Sequence, residues 1–478
     1  LVKEKNSGEK KSRFLFLQTL LGLAALAYGY FLALGVTNPL SAIFTFFVAV
    51  LFVILGTYLL FNAGITVFLQ FLKKRKSYYY QPNNMISVSN LIFRMKKNAV
   101  GLATIAILST MVLVTLSGGA NIYAGGDYMQ KALFPHDMSI QGKGVTGEQM
   151  EQVLTEFANE QQLPVAKRVV YQYYTMGVRS RAGNQLDIFA ADQRFVTPNT
   201  YILAISEADY QSMTGKTLNL GDDEVALYQQ GVKLDFQQDL QLAGQTFKIK
   251  EELKEDFIFG NLPDQMNMII PEKIYMVLKN PSQVFSALMD KYAVNLDYYG
   301  GLNLDLPTAE QRKLRDAYQE KLHQFNLTLP ENQVVYGSVT AFEKQEIKGM
   351  LGGMFFIGIF LSIVFMLGTI LIIYYKQISE GYEDRDRFVI LQKVGLDEKQ
   401  IRQTIRKQIL IVFFLPLAFA FIHLTFAYHM LSLILSALGV LNATLMLAVT
   451  LGVCAVFFIS YVLVFMITSR SYRTIVSM

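Results

Sequence analysis

The chain has 478 residues, of which 52% are hydrophobic and 17% charged, against roughly 45–50% and about 25% in soluble domains. That balance excludes a disordered chain and points to the membrane rather than to a soluble enzyme. A single cysteine, Cys454, excludes an intrachain disulfide and a thiol–zinc cluster, and the four histidines (His136, His323, His423, His429) do not fall at metal-ligand spacing.

A membrane-spanning helix needs about 20 mostly apolar residues. Four longer runs carry no Asp, Glu, Lys or Arg: 14–72, 98–126, 349–375 and 408–469. The first breaks at Gly35-Val36-Thr37-Asn38-Pro39 and the last near Leu438-Gly439-Val440-Leu441-Asn442, both turn signals. Six helices result, at 14–34, 41–72, 98–120, 350–375, 408–430 and 441–468. Basic residues flank alternate ends of successive helices, so every cluster falls on one side: Lys10, Lys11 and Arg13; Lys73 to Lys76; Arg94, Lys96 and Lys97; Lys376; Arg406 and Lys407; Arg470 and Arg473. Because basic loops stay on the cytoplasmic side, both termini are expected there and residues 121–345 outside. The expected fold class is therefore a membrane α-helical protein of six transmembrane helices with a large extracytoplasmic mixed α/β domain. Its divisions are 1–76, two helices; 77–120, an amphipathic lead-in and the third helix; 121–345, the outer domain; and 346–478, a stalk and the last three helices, with a cytoplasmic helix at 381–395.

The outer segment carries 20 Lys+Arg and 29 Asp+Glu, a net of −9, while the remainder is +14. Such an acidic surface can attract cationic ligands by long-range steering, but it reads first as an ordinary solvated face. Thr146-Gly147-Glu148-Gln149 resembles a capping box opening a helix. Strands are expected at 169–178, 186–190 and 225–228, a hairpin at 240–249, and helices near 282–292 and 309–325. Gly215-Lys216-Thr217 mimics the end of a phosphate loop, but position 210 is Tyr where the motif needs Gly, which excludes it. Asp222-Asp223-Glu224 reads as a solvated acidic turn before a cation site. His136-Asp137 has no Ser or Cys motif to serve. Tyr171, Tyr173, Tyr174, Tyr298 and Tyr299 suit a binding surface or ordinary strand and core positions.

None of the six helices carries an acidic or basic residue, which argues against an ion-coupled transporter. His423 and His429 read as packing residues on different faces of the fifth helix, which Pro416 is expected to kink. Thr340-Ala341-Phe342-Glu343 reads as a capping box, and no proline follows before Tyr375. About 35 helical residues at ~1.5 Å each reach ~50 Å, beyond the ~30 Å hydrocarbon core, so the excess forms a stalk. Gly349 and Gly353 in it make a small-xxx-small pair suited to close helix contact. After the fourth helix, the run from Glu380 to Gly395 reads as containing a short amphipathic helix, at 381–395. Phe388, Leu391 and Val394 form its apolar stripe and Gly395 its C-cap.

Arg387-Phe388-Val389-Ile390-Leu391-Gln392-Lys393-Val394-Gly395, placed after the helix that follows a large outer domain, resembles the FtsX-like permeases of ABC transporters. Residues 85–102 resemble the lead-in to the outer domain in the bacitracin-resistance-type permeases of Gram-positive bacteria. The six spans match the last six of that ten-span group, so about four N-terminal spans are missing. A fragment, a split gene and a misread start codon are all open. The resemblance implies a permease subunit of the bacterial plasma membrane, with no catalytic residues and no cofactor of its own. ATP and Mg would be bound by a separate cytoplasmic ABC ATPase docking at 381–395, notably Glu383, Arg387, Phe388, Leu391, Val394 and Gly395. Thr340, Glu343, Gly349 and Gly353 would shape the stalk. It further implies defence against cell-wall-targeting peptides such as bacitracin, contact with membrane lipids and a peptide or lipid-linked wall precursor, and signalling through a membrane histidine kinase, with no nucleic acid involved. Two alternatives stay open: a mechanotransmission subunit that activates a wall hydrolase or releases lipoproteins, and an outer peptide sensor without an ATPase.

Overall fold

The computed structural model describes residues 12–476 apart from 38, 80–81, 194–195, 197, 264–269, 271, 394–397 and 441. At 12–13, 40, 76, 78, 82–87, 89–90, 93–94, 96, 384–393, 398–407 and 471–476 it describes the backbone alone. The chain divides into two units: 1–124, 353–435 and 443–478 in one, and 125–352 with 436–442 in the other.

The first unit is helical: α1 (Ser12–Gly35), α2 (Pro39–Leu59), a π turn (Leu60–Gly64), α3 (Ile65–Lys74), the short α4 (Lys76–Tyr79) and α5 (Pro82–Ala124). After the α/β domain come α12 (Thr340–Lys393), α13 (Glu398–Ala437) and α14 (Ala443–Val476). Six stretches among the described residues are long and apolar enough to cross a membrane: 14–35, 41–74, 97–124, 340–383, 408–437 and 443–470. Leu102, Ala103 and Ala106 of α5 pack with Val412, Phe413 and Ala420 of α13 and Tyr461 of α14, all buried. Many other large apolar side chains on these helices, such as Phe44, Phe356 and Ile459, are exposed. That is the expected pattern where lipid replaces water as the solvent. Pro416 lies inside α13 without ending it. His423 and His429, six positions apart, both reach the α1–α2 pair. His423 Nδ1 lies 2.6 Å from the Tyr30 hydroxyl and its Nε2 3.0 Å from Thr57 Oγ1, while His429 Nε2 meets the Val36 carbonyl at 2.8 Å. Thr57 donates its own proton to Val53 O, so His423 Nε2 donates to Thr57 and Nδ1 accepts from Tyr30.

The second unit is the mixed α/β domain. It runs α6 (Gly126–Leu133), β1 (Met138–Lys143), α7 (Gly147–Glu160), β2 (Val165–Ala182), β3 (Gln185–Ile188), β4 (Thr200–Ser206), α8 (Glu207–Thr214) and β5 (Glu224–Gln230). It continues with β6 (Leu240–Leu242), β7 (Gln245–Glu252), β8 (Glu272–Leu278), α9 (Pro281–Phe285), β9 (Val294–Leu304), α10 (Thr308–Gln311), α11 (Arg315–Asn326) and β10 (Val334–Val339). The strand order is β10-β1-β9-β2-β3-β6-β7-β5-β8-β4, and β4 pairs back onto β2. Seven strands thus close a ring through the 18-residue β2, and β9, β1 and β10 extend from it. The ring is filled. Ile202 and Ala204 of β4, Ile274 and Met276 of β8, and Tyr174 and Met176 of β2 share one core. The alternate residues Leu203, Ile205, Tyr275 and Val277 share a second core on the other face. A strand buried on both faces must be apolar throughout. A third core joins α7 and α11 to the extension through Phe157, Tyr318, Ile140, Leu302 and Val335.

The Thr146–Gln149 capping box is present in both directions. The 240–249 hairpin turns at Ala243 and Gly244, whose φ values of 52° and 82° match the left-handed pair of a type I′ turn. The helix expected over 282–292 is shorter: α9 ends in a 3-10 turn at Leu288, and the chain enters β9 at Val294. The helix expected over 309–325 is split into α10 and α11 by a 3-10 turn at Arg312–Leu314. The outer edge of β10 is not open. Asn326 Nδ2 donates to Val335 O and its Oδ1 accepts from Val335 N, both at 2.8 Å, and Gln319 donates to Gly337 O at 2.8 Å.

Candidate functional site: the α5–α12 helix pair

α5 enters the α/β domain and α12 leaves it. Within the helical unit the two lie antiparallel. At the basic-flanked end, Lys97 Nζ donates to both oxygens of Glu383, at 2.5 and 2.6 Å. One residue on, Asn98 Nδ2 donates to Glu380 Oε1, and Lys376 Nζ donates to Asn98 O at 3.2 Å. Further along, the Thr115 and Ser362 hydroxyl oxygens lie 2.9 Å apart. A Cβ built on Gly119 would stand 3.6 Å from the Cα atoms of Gly358 and Phe355, and the Tyr123 and Phe355 rings stack at 4.9 Å. Partners advance along α5 as they recede along α12, so small residues and short hydroxyl contacts hold one continuous register. Such contacts are the usual means of helix association in lipid, where apolar side chains gain little by pairing.

Several expected stalk contacts fall elsewhere. Gly349 and Gly353 have nothing within 4 Å of a built Cβ; the close approach belongs to Gly119 and Gly358. The Thr340–Glu343 capping box does not form. Thr340 Oγ1 donates to His136 O at 2.7 Å, and Thr340 N donates to Asp137 O at 2.8 Å. The β10 strand that runs directly into α12 brings these carbonyls within reach of Thr340 first. The segment from Gly381 to Lys393 starts no new helix, because α12 continues unbroken to Lys393. Arg387, Phe388 and Leu391 lie on that last stretch, where the backbone alone is described, and Val394 and Gly395 fall outside the described residues. Glu383 is engaged by Lys97 rather than facing out unpaired.

In the α/β domain the other candidates resolve into structure. Gly215 is the left-handed C-cap of α8, at φ 73°, and Lys216 pairs with Glu255. Asp222, Asp223 and Glu224 each face a lysine: Lys279 at 3.0 Å, Lys248 at 2.9 Å and Lys250 at 2.9 Å. Among the described residues no group of three or more His, Cys, Asp or Glu is placed to hold a metal. His136 is buried, its Nδ1 3.0 Å from the Tyr299 hydroxyl. Burial above all, then the positive charges of Lys167 and Lys344, lowers its pKa to about 4. Tyr171 and Tyr299 are core residues, as is Tyr174 inside the ring. Sequence reasoning missed Lys97, Asn98 and Glu380 as partners of this site. The basic residues before the third apolar run and the acidic residues after the fourth are visible in the sequence, but not which of them meet.

The described residues form six helices long and apolar enough to cross a membrane and a separate mixed α/β domain, and the comparisons with known proteins find the chain similar to ABC transporter permeases. The chain is 24% identical over 472 residues to an ABC transporter permease, YvcS, of Bacillus subtilis, covering 95% of this chain and 68% of the relative. It is 24% identical over 469 residues to the ABC transporter permease protein YxdM of the same organism, covering 95% and 67%. Within that class it resembles the FtsX-like permeases of bacitracin-export type. It is 22% identical over 427 residues to the bacitracin export permease protein BceB of Halalkalibacterium halodurans, covering 85% and 61%. The chain spans about two thirds of the length of these relatives. No family model matches it.

Proposed function

We propose that this chain is the permease subunit through which a separate cytoplasmic ABC ATPase, carrying ATP and Mg, acts on an extracytoplasmic domain to give resistance to cell-wall-targeting antimicrobial peptides of the bacitracin kind. The observation that carries this reading is α12 itself, one 54-residue helix from Thr340 at the α/β domain to Lys393 at the basic-flanked end. At ~1.5 Å per residue its contour is about 80 Å, more than twice a ~30 Å hydrocarbon core. The basic residues around its end support a cytoplasmic side for that end and for both termini of this chain. There the segment Glu383, Arg387, Phe388, Leu391, Val394 and Gly395 is the docking surface for the ATPase. Lys97, Asn98 and the Gly119–Gly358 contact pass its displacement to α5, so both connections to the α/β domain move together. A peptide or a lipid-linked wall precursor is the substrate, and a membrane histidine kinase is a further partner.

Pull-down of the tagged chain from membranes tests the reading. An ABC-type ATPase should be recovered with the intact chain and lost with Arg387→Ala and Leu391→Ala together. Recovery of no ATPase with the intact chain overturns it and favours a sensor. Retention of the ATPase without any peptide phenotype favours a mechanotransmission subunit acting on a wall hydrolase or a lipoprotein.

A further inference from the structure

Beside the helix pair, the membrane unit holds a half-open cavity of about 830 Å³. Its walls include Thr19 and Leu23 of α1, Phe68 and Leu72 of α3, Leu91 of α5 and Leu415 of α13. The size falls within the roughly 300–1,000 Å³ of small-molecule sites, but the chemistry is that of hydrocarbon. Thr19 is the one hydroxyl among the described lining residues, and it donates within its own helix to Leu15 O at 2.8 Å. The π turn at Leu60–Gly64 shapes one side. A Cβ on Gly64 would stand 2.9 Å from Leu60 Cδ2, so the Leu60 side chain packs directly onto residue 64. π turns of this kind recur at functional sites.

One end of the cavity is charged. Phe71 and Leu72 line it, and the chain runs directly on into Lys73, Lys74 and Arg75, all exposed. The Arg75 guanidinium sits over the Phe71 ring at 5.4 Å, which fixes a cation at the rim. An apolar cleft with a basic rim, opening among membrane helices, matches one molecule of the surrounding bilayer: hydrocarbon tail inside, anionic headgroup on the cations. We propose that this cavity is a binding site for the acyl chain of an anionic phospholipid whose headgroup rests on Lys73, Lys74 and Arg75. Leu91 and Met95 of the α5 lead-in form one wall, so the bound lipid packs against the helix that carries Lys97.

The protein has no tryptophan, which makes a single introduced one a clean reporter. Phe68→Trp, at an exposed lining position, is reconstituted as the full chain in vesicles containing phospholipids brominated on the acyl chain. Brominated phosphatidylglycerol should quench it at a mole fraction at least about tenfold lower than brominated phosphatidylcholine. The preference should vanish when Lys73→Gln, Lys74→Gln and Arg75→Gln are combined with it. Phe458→Trp, on an exposed face of α14 away from the cavity, should show no preference. Equal quenching of Phe68→Trp by both lipids, or the same preference at both positions, marks ordinary boundary lipid and overturns the proposal. Absence of quenching at Phe68→Trp by either lipid means that protein fills the cavity, and overturns it as well.

Discussion

Lys97 and Glu383, 286 residues apart in sequence, meet in a two-oxygen ion pair at 2.5 and 2.6 Å that closes one end of the α5–α12 helix pair. Both side chains are about half exposed, so Coulomb energy alone is worth under about 1 kcal/mol. The pair's weight lies in register, since Asn98–Glu380 and Lys376–Asn98 O follow it directly. Lys97→Glu and Glu383→Lys should each lower the thermal midpoint of the purified chain slightly, and the double swap should recover most of the loss. Additive losses in the double variant would show that the two charges do not interact.

The glycines of α12 should behave in opposite ways. A Cβ on Gly358 would lie 3.2 Å from the Thr115 carbonyl oxygen, a backbone atom that cannot swing aside. Gly358→Ala should therefore destabilise, by about 1–3 kcal/mol as overpacking does. Gly349 and Gly353 face open space, so alanine there should be neutral or stabilise by roughly 0.5–1 kcal/mol, the helical cost of glycine. Thermal unfolding of the three variants in one detergent decides it. Equal losses at 353 and 358 would refute the assigned contact.

That contrast also shows where the sequence is legible. The six spans follow from apolar runs, because the bilayer imposes one length on every helix. The hairpin at Ala243-Gly244 and the box at Thr146 follow from local hydrogen bonding. Strands β4 and β8 went unread because Tyr201 to Ile205 and Ile274 to Leu278 are apolar without alternation, as burial on both faces requires. Gly349 and Gly353 satisfied the spacing rule for close packing, yet spacing does not say which face meets a neighbour. Thr340 and Glu343 satisfied the capping rule, yet the carbonyls of His136 and Asp137 compete for the same groups. Lys97 with Glu383 depended on the register of two distant helices, which no local pattern encodes.

Burial of His136 makes the α/β domain sensitive to acid. Its pKa is lowered from 6.5 to about 4 in the folded state, so the unfolded chain binds a proton more readily between those values. Stability is then full above pH 6.5 and falls as pH drops toward 4, by an order of 3 kcal/mol in all. Asp209 and Asp297, whose pKa values burial raises, work in the opposite direction. The test is therefore the difference between the parent chain and His136→Gln. Unfolding followed from pH 7 to pH 4 should show a steeper loss in the parent, and parallel curves would contradict the assignment.

The edge of β10 supplies the last expectation. An unpaired edge strand is a template for another chain, and here one side chain satisfies both the N–H and the C=O of Val335. Asn326→Ala leaves those two backbone groups without their partner while Val335 itself stays buried in the third core. The loss should be about 1–3 kcal/mol. Tyr336 and Val334, both exposed on the same strand, would then flank an unsatisfied edge. The variant should self-associate as its concentration rises in size-exclusion runs, while the parent elutes at constant volume. Asn326→Asp restores only the acceptor for Val335 N and should fall between the two. An Asn326→Ala protein as stable and as monodisperse as the parent would show that water replaces the amide without cost, and that the edge is guarded by Gln319 alone.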